Sequence, residues 1–192
     1  MILKIRTMGE PVLRRKARSL TAKEILSART QELIESMRET MHDAPGVGLA
    51  APQIGLRLQL AVIEDREASM KELTDKQRTE RERKAIGFHV IVNPVLTLES
   101  PAEIEFFEGC LSLPGYAASV ARARKVKVEC LDHRGRSRTI RASGWYARIL
   151  QHEIDHLHGT VYLDRMRTTT FTSLENYKRF AGAPAAEKGG KR

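Results

Sequence analysis

One run of five residues, His152-Glu153-Ile154-Asp155-His156, constrains this chain more than any other. Two histidines four apart on a helix stand one turn above each other, so their imidazole nitrogens can share one metal ion. Glu153 follows the first histidine, where it can lean toward a water at the metal without being a ligand, which makes it a candidate general base. The flanking sequence reads as a helix that Ser143-Gly144 starts and Gly159 ends. One face carries Trp145, Ile149, His152 and His156, and an adjoining face carries Leu150, Ile154 and Leu157. A chance match would lie on a solvated helix. On one this apolar, an unpartnered Glu and two unpartnered His would be costly to bury, and a metal ion removes that cost. A helix apolar on two sides is predicted to be central, with sheets around it.

The remainder of the chain supplies those sheets. Thr21-Ala22-Lys23-Glu24 fits a capping box, and Leu26, Leu33, Met37 and Met41 follow at near-helical spacing. This predicts one amphipathic helix ending before Asp43-Ala44-Pro45-Gly46. Leu56–Glu64 and His89–Val92 read as strands. Val126, Val128 and Cys130 alternate with Lys127 and Glu129, the pattern of a half-buried antiparallel strand, and Gly135 turns the chain into Ser137–Ile140. Asp65–Lys84 is dense in charge and reads as a solvated insertion with room for a helical turn, and no chemistry is assigned to it. The order helix, strands, helix gives an α+β fold with mainly antiparallel sheets packed around a central helix that carries the His152–His156 motif, with an N-terminal amphipathic helix. We expect a single catalytic domain over residues 1–180 and a disordered basic tail over 181–192.

Composition removes several alternatives. No run of about 18 apolar residues exists to span a membrane. The start, Met1-Ile2-Leu3-Lys4-Ile5-Arg6, lacks the apolar stretch of a secretory signal, and two cysteines do not make a disulfide framework. These features point to the reducing cytoplasm. The 33 Lys+Arg against 24 Asp+Glu, net +9, favour polyanionic surfaces such as a ribosome. Five Phe and four Tyr, not interleaved with the basic residues, argue against a base-stacking module and sequence-specific nucleic-acid binding.

A catalytic metal usually takes three protein ligands and keeps one position open, so a third ligand is needed. Downstream, Gly159 fits the longer pattern H-E-x-x-H-x-x-G-x-x-H, but Tyr162 stands where its last histidine would be. Glu175, in the polar stretch Thr172–Asn176, is a second candidate. Cys110, in Glu108-Gly109-Cys110-Leu111-Ser112, is a third and would bind as a thiolate. Gly46-Val47-Gly48-Leu49-Ala50-Ala51-Pro52-Gln53 has little side-chain bulk and would let a ligand's backbone come close, with Gln53 as an uncharged donor. A tight turn between helix and strand would look similar.

Together, Gly46–Gln53, Glu108–Ser112 and Gln151–His156 resemble the three motifs of peptide deformylases, G-x-G-x-A-A-x-Q, E-G-C-x-S and Q-H-E-x-D-H, in the same order. The resemblance runs from about Met8-Gly9-Glu10-Pro11 to about Asp164-Arg165-Met166. Ala142-Ser143-Gly144-Trp145 and the charged insertion are similar to the plant-organelle and mitochondrial branch. The short end after Met166 departs from members with a long C-terminal helix, the element associated with ribosome docking. The resemblance implies that Cys110, His152 and His156 hold one divalent ion, commonly Fe(II), with zinc or nickel able to take the same ligands. It implies that Glu153 shuttles the proton and that the Gln53 amide and the Leu111 backbone N–H meet the oxyanion. The implied substrate is a nascent peptide beginning with formyl-methionine. Its thioether would suit an apolar pocket, for which we nominate Val47, Trp145 and Ile149, with Gly48 bonding the substrate backbone.

Two rival classes have distinguishing ligands. A zinc endopeptidase would take Glu175 as third ligand. A structural metal site in a ribosome-binding module would add Cys130 or another His as a fourth. Asp155, charged on an apolar helix, is expected to pair with Arg122.

Overall fold

The computed structural model describes residues 1–71 and 73–180; the tail expected to be disordered, 181–192, lies outside the described residues. Five antiparallel strands form the larger sheet, in the order β1-β2-β3-β6-β7: β1 is Gly48–Ala50, β2 Leu60–Asp65, β3 Ile86–Leu98, β6 Lys125–Leu131 and β7 Ser137–Ser143. A second sheet has the order β4-β5-β8, with β4 Ala102–Cys110, β5 Leu113–Ala123 and β8 Thr172–Ser173. Helix α4, Gly144–Leu157, touches strands of both sheets. The fold is thus α+β with antiparallel sheets.

Period two decides which side of the larger sheet each residue serves. Ala61, Ile63 and Ile91 pack with Ile149, Leu150 and Ile154 of α4. Their neighbours Leu60, Val62, Val90 and Val92 pack with Ile34, Met37 and Met41 of helix α2, Ala28–Asp43. Both faces are covered, so the β2 residues Leu60–Ile63 read as a continuous apolar run rather than an alternating one. In β6, by contrast, Val126, Val128 and Cys130 are buried and Glu129 is exposed, as the alternation predicts, while Lys127 is half-buried. β3 serves two partners in turn, β2 along its first half and β6 along its second. At the changeover Asn93 has φ 51°, and its side-chain amide bonds both the N–H and the carbonyl of Leu20.

Several expectations are corrected. The capping box is present, with Thr21 and Glu24 bonding each other's backbone N–H, but it opens only a single turn, α1, Ala22–Ile25. Ser27 then caps a separate helix, its hydroxyl accepting from the Thr30 N–H, and Leu26 is left 61% exposed in the joint. The second strand begins at Leu60, not Leu56. Gly46–Gln53 is more than a turn, since it contains edge strand β1 and a 3-10 turn over Ala51–Ile54. The hairpin β4–β5 is absent from the sequence reading: Ala102–Phe106 alternates apolar and acidic residues as a strand does, but β5 carries Pro114, Gly115 and a run of small residues. The charged insertion, which holds helix α3, Asp75–Glu80, is not merely solvated. Met70 is buried, and Asp65 is buried against Arg83 by a two-pronged ion pair at 2.7 and 2.9 Å.

Candidate active site

Helix α4 begins where β7 ends. Ser143 does not cap it with its side chain, contrary to the sequence reading; that hydroxyl donates to Glu82 and accepts no helix N–H. The first N–H groups go instead to backbone carbonyls, Gly144 to Arg124 and Trp145 to Arg81. At the other end Gly159, with φ 76°, follows the last turn and its N–H returns to the His156 carbonyl.

On this helix His152 and His156 lie one turn apart, with ring centroids 5.0 Å from each other. Cys110 reaches them from the end of β4. The β4–β5 register shifts between Gly109 and Cys110, and irregularities of this kind re-aim side chains. Its Sγ lies 3.3 Å from His156 Nε2. One ligand atom each from Cys110, His152 and His156 falls within 4.8 Å of the others, the one such donor group among the described residues. Burial alone would raise the Cys110 thiol, but His156 and His152 outweigh it and hold the thiol well below its usual range, the condition for a thiolate.

Behind the histidines lies a buried ion network. Glu108 accepts from His152 Nδ1 at 3.0 Å, which leaves Nε2 of that ring for a ligand role. The same carboxylate accepts from Arg122 Nε and Nη2, both at 3.0 Å, and from Arg148 Nη1 at 2.6 Å. Burial would push Glu108 up, yet His152 and Arg122 hold it well below the ordinary carboxylate range. Arg122 also donates to Asp155, the expected pairing, and Asp155 takes a second, two-pronged pair from Arg165 at 2.7 and 2.8 Å. The sequence reading assigned no role to Glu108 or Arg148. The register shift between Gly109 and Cys110 breaks the two-residue alternation there, so the shared-face rule does not lead from Cys110 to Glu108. Nothing local marks Arg148. Tyr162, at the position where the longer motif has a histidine, is buried and stacks on His152 with ring centroids 6.4 Å apart.

Gln53 is held in one orientation. Its Oε1 accepts the Ala50 N–H at 2.8 Å, so its NH2 must face the other way, toward Ser112 Oγ at 3.3 Å and Cys110 Sγ at 3.5 Å. Glu153 is 4% exposed, and its Oε2 has no hydrogen-bond partner among the described residues. Burial raises its pKa, only partly offset by the neighbouring histidines. Gly48 packs directly on this carboxylate.

A cavity of about 620 Å³ opens onto these groups. Val47, Gly48, Gln53, Cys110, Leu111, Trp145, Ile149, His152 and Glu153 all line it, whereas His156 is buried behind. Ile5, Tyr116 and Leu174, not singled out in the sequence, line it as well. Glu175 is exposed on α5, Leu174–Phe180, and Cys130 sits in the core beside Val128, so neither belongs to the donor group. The donor set of one thiol and two imidazoles, with one imidazole oriented by a carboxylate and an orphaned buried carboxylate oxygen beside it, suits a divalent transition metal. No described helix is long and apolar enough to cross a membrane.

Comparison with known proteins agrees with this geometry. The polypeptide deformylase family profile matches residues 2–171. The chain is 45% identical over 168 residues to "Peptide deformylase 1A, chloroplastic" of Solanum lycopersicum, a match covering 88% of this chain and 61% of that relative. It is 44% identical over 171 residues to a peptide deformylase of Thermus thermophilus, covering 86% and 83% of the two chains. A Met-Ala-Ser-bound crystal structure of class I type b peptide deformylase from Acinetobacter baumannii superposes with a TM-score of 0.76 at 30% identity, covering 86% of this chain and 99% of that one. The chain therefore spans about six tenths of the length of the plant relative and most of the bacterial ones.

Proposed function

The chain belongs to the polypeptide deformylase family, and from that premise we propose that it hydrolyses the formyl group from the N-terminal formyl-methionine of new polypeptides, releasing formate. The observation that carries this reading is the meeting of Cys110, His152 and His156 with the unpartnered Glu153 at one apolar cavity.

In this proposal Cys110, His152 and His156 hold the ion, Fe(II) being the physiological choice and zinc or nickel able to substitute. When bound, such an ion would act as a Lewis acid, lowering the pKa of water toward neutrality. Glu153 accepts a proton from the attacking water and returns it to the departing amine. Its raised pKa brings it nearer the operating pH than an ordinary carboxylate, which suits both transfers. The Gln53 NH2, fixed by Ala50, and the Leu111 N–H stabilise the oxyanion, and one such donor is worth about 2.7–4 kcal/mol. Val47, Trp145 and Ile149 receive the methionine side chain, and Gly48 bonds the substrate backbone. Glu108 fixes the tautomer of His152.

Residues 1–180 form the catalytic domain in this reading. The two free thiols fit a reducing cytoplasm, and the net charge of +9 favours contact with the ribosome where the substrate emerges. The deciding experiment is formate release from formyl-Met-Ala-Ser, with formyl-free Met-Ala-Ser as control. Formate from the first alone supports the proposal, and none from a metal-loaded preparation overturns it.

A further inference from the structure

The charged segment between β2 and β3 is docked on the start of the helix that carries the histidines. The Trp145 N–H donates to the Arg81 carbonyl at 2.8 Å. Gly144 has φ 59°, and a β-carbon there would lie 2.4 Å from Glu82 Cβ and 2.7 Å from the Arg81 carbonyl oxygen. Glu82 itself has φ 48°, uncommon for a residue with a side chain, and is held by Ser143 and Arg124. Trp145 thereby meets a group of cations. The Arg81 guanidinium lies 5.2 Å from its ring centroid and 5.6 Å from that of Phe106, while Arg83 lies 5.0 Å and Arg148 5.9 Å from the Trp145 ring. Phe106 meets Trp145 edge-on at 6.3 Å. Arg78, Arg83 and Glu82 each have an ion-pair partner, whereas Arg81 has none among the described residues and rests on the two rings. The same tryptophan lines the cavity with Val47 and Ile149.

We propose that Arg81, supported by the Asp65–Arg83 pair, is a positioning residue that sets the wall of the substrate side-chain pocket through Trp145. The inference rests on the deformylase reading and deepens it by naming what selects the side chain. An indole flanked by three guanidinium groups does not tilt freely, because tilting gives up its cation–π contacts with them. Removing Arg81 frees the ring and loosens the pocket. A long unbranched side chain then loses contacts along its length, and a methyl side chain loses few. Glu153, His152 and His156 lie further along the helix and Cys110 lies at the end of β4, so they are untouched and the effect falls on binding and discrimination rather than on turnover.

Trp145 is the chain's single tryptophan, so intrinsic fluorescence reads its environment without interference. The test compares the unsubstituted protein with Arg81→Ala and Arg81→Lys, on formyl-Met-Ala-Ser and formyl-Ala-Ala-Ser, with acrylamide quenching of Trp145 measured on the same preparations. Arg81→Ala should raise KM for the methionine substrate roughly tenfold with kcat within about twofold, and cut the Met-over-Ala preference by a similar factor. Quenching should rise, and Arg81→Lys, which keeps the charge but not the planar fork, should fall between. Equal effects on both substrates, or unchanged quenching, would overturn the proposal. Should Arg81→Ala fail to fold, Arg81→Lys decides by the same two readings. If the wild type releases no formate at all, the deformylase reading fails. Binding of unformylated Met-Ala-Ser against Ala-Ala-Ser, followed by Trp145 fluorescence, then still decides the positioning role.

Discussion

Gly48 and Glu153 are so closely packed that a β-carbon on residue 48 would stand 2.3 Å from Glu153 Oε1 and 2.6 Å from its Cδ. The edge strand β1 therefore presses its bare backbone against the proposed base. Gly48 has no positive φ that would call for glycine, so the requirement is one of space. Gly48→Ala should displace the carboxylate while leaving the ligands in place. We expect kcat to fall about 10²-fold or more, within the range that a positioned acid–base group contributes, with metal content unchanged. Metal analysis and formate release on one preparation check this, and an alanine variant with near wild-type kcat would show that Glu153 needs no such room.

The proton shuttle and the ligands should separate cleanly. Glu153→Ala should keep its metal and lose about 10²–10⁴-fold in turnover. His152→Ala should lose metal and activity together, since two ligands bind far more weakly than three. A metal-free Glu153→Ala protein would make Glu153 a ligand and defeat the mechanism.

Gln53→Leu removes the donor that Ala50 holds in position. The expected cost is about 10²–10³ in kcat, with KM for formyl-Met-Ala-Ser little changed, because the donor meets charge that develops only in the transition state. A variant changed only in KM would assign Gln53 to ground-state binding instead.

Glu108 joins two arginines and His152 in the interior. Glu108→Gln leaves buried guanidinium charge uncompensated and should cost about 3–5 kcal/mol. Because the folded-state pKa of Glu108 is depressed, its stabilisation is fully present above the ordinary carboxylate range and is lost as pH falls through that range toward the lowered folded value. Urea midpoints of metal-free protein at pH 7 and pH 4 should therefore drop for the wild type and drop less for Glu108→Gln. Equal drops in the two proteins would remove Glu108 from the acid sensitivity.

Truncation after Phe180 should leave turnover on a short formyl peptide nearly unchanged, since every proposed site residue precedes it. A tenfold loss would show that residues 181–192 contribute to the site.

How much of this was legible depended on the range of the interaction. The Thr21–Glu24 box involves neighbours three residues apart, and its chemistry is local, so it was read correctly even though the helix after it was not. Leu26 misled because apolar spacing cannot reveal that Ser27 would cap a new helix. The insertion misled because charge density says nothing of partners. Arg83 is charged, yet it lies against buried Asp65 and the face of Trp145. The hairpin β4–β5 is hard to read because only Ala102–Phe106 alternates; its partner strand carries Pro114, Gly115 and small residues, and the pair is held by cross-strand bonding and by Glu108, Arg122 and Arg148.

The sequence by itself determined the spacing of His152 and His156, because four residues on a helix make about one turn whatever surrounds them. It determined likewise the alternation of β6 and the small side chains of Gly46, Gly48, Ala50 and Ala51. The motif resemblance already named Cys110 as the third donor, but only the tertiary structure shows what carries it to the histidines. Cys110 and His156 are 46 residues apart and meet through the β4–β5 turn, while Glu175, nearer in sequence, faces outward on α5. It decided too that Glu108 orients His152 and that Gly48 must be bare beneath Glu153. Helical spacing follows from bond geometry within a few residues. The approach of a strand to a helix follows from the packing of the whole core, which no short window of sequence contains.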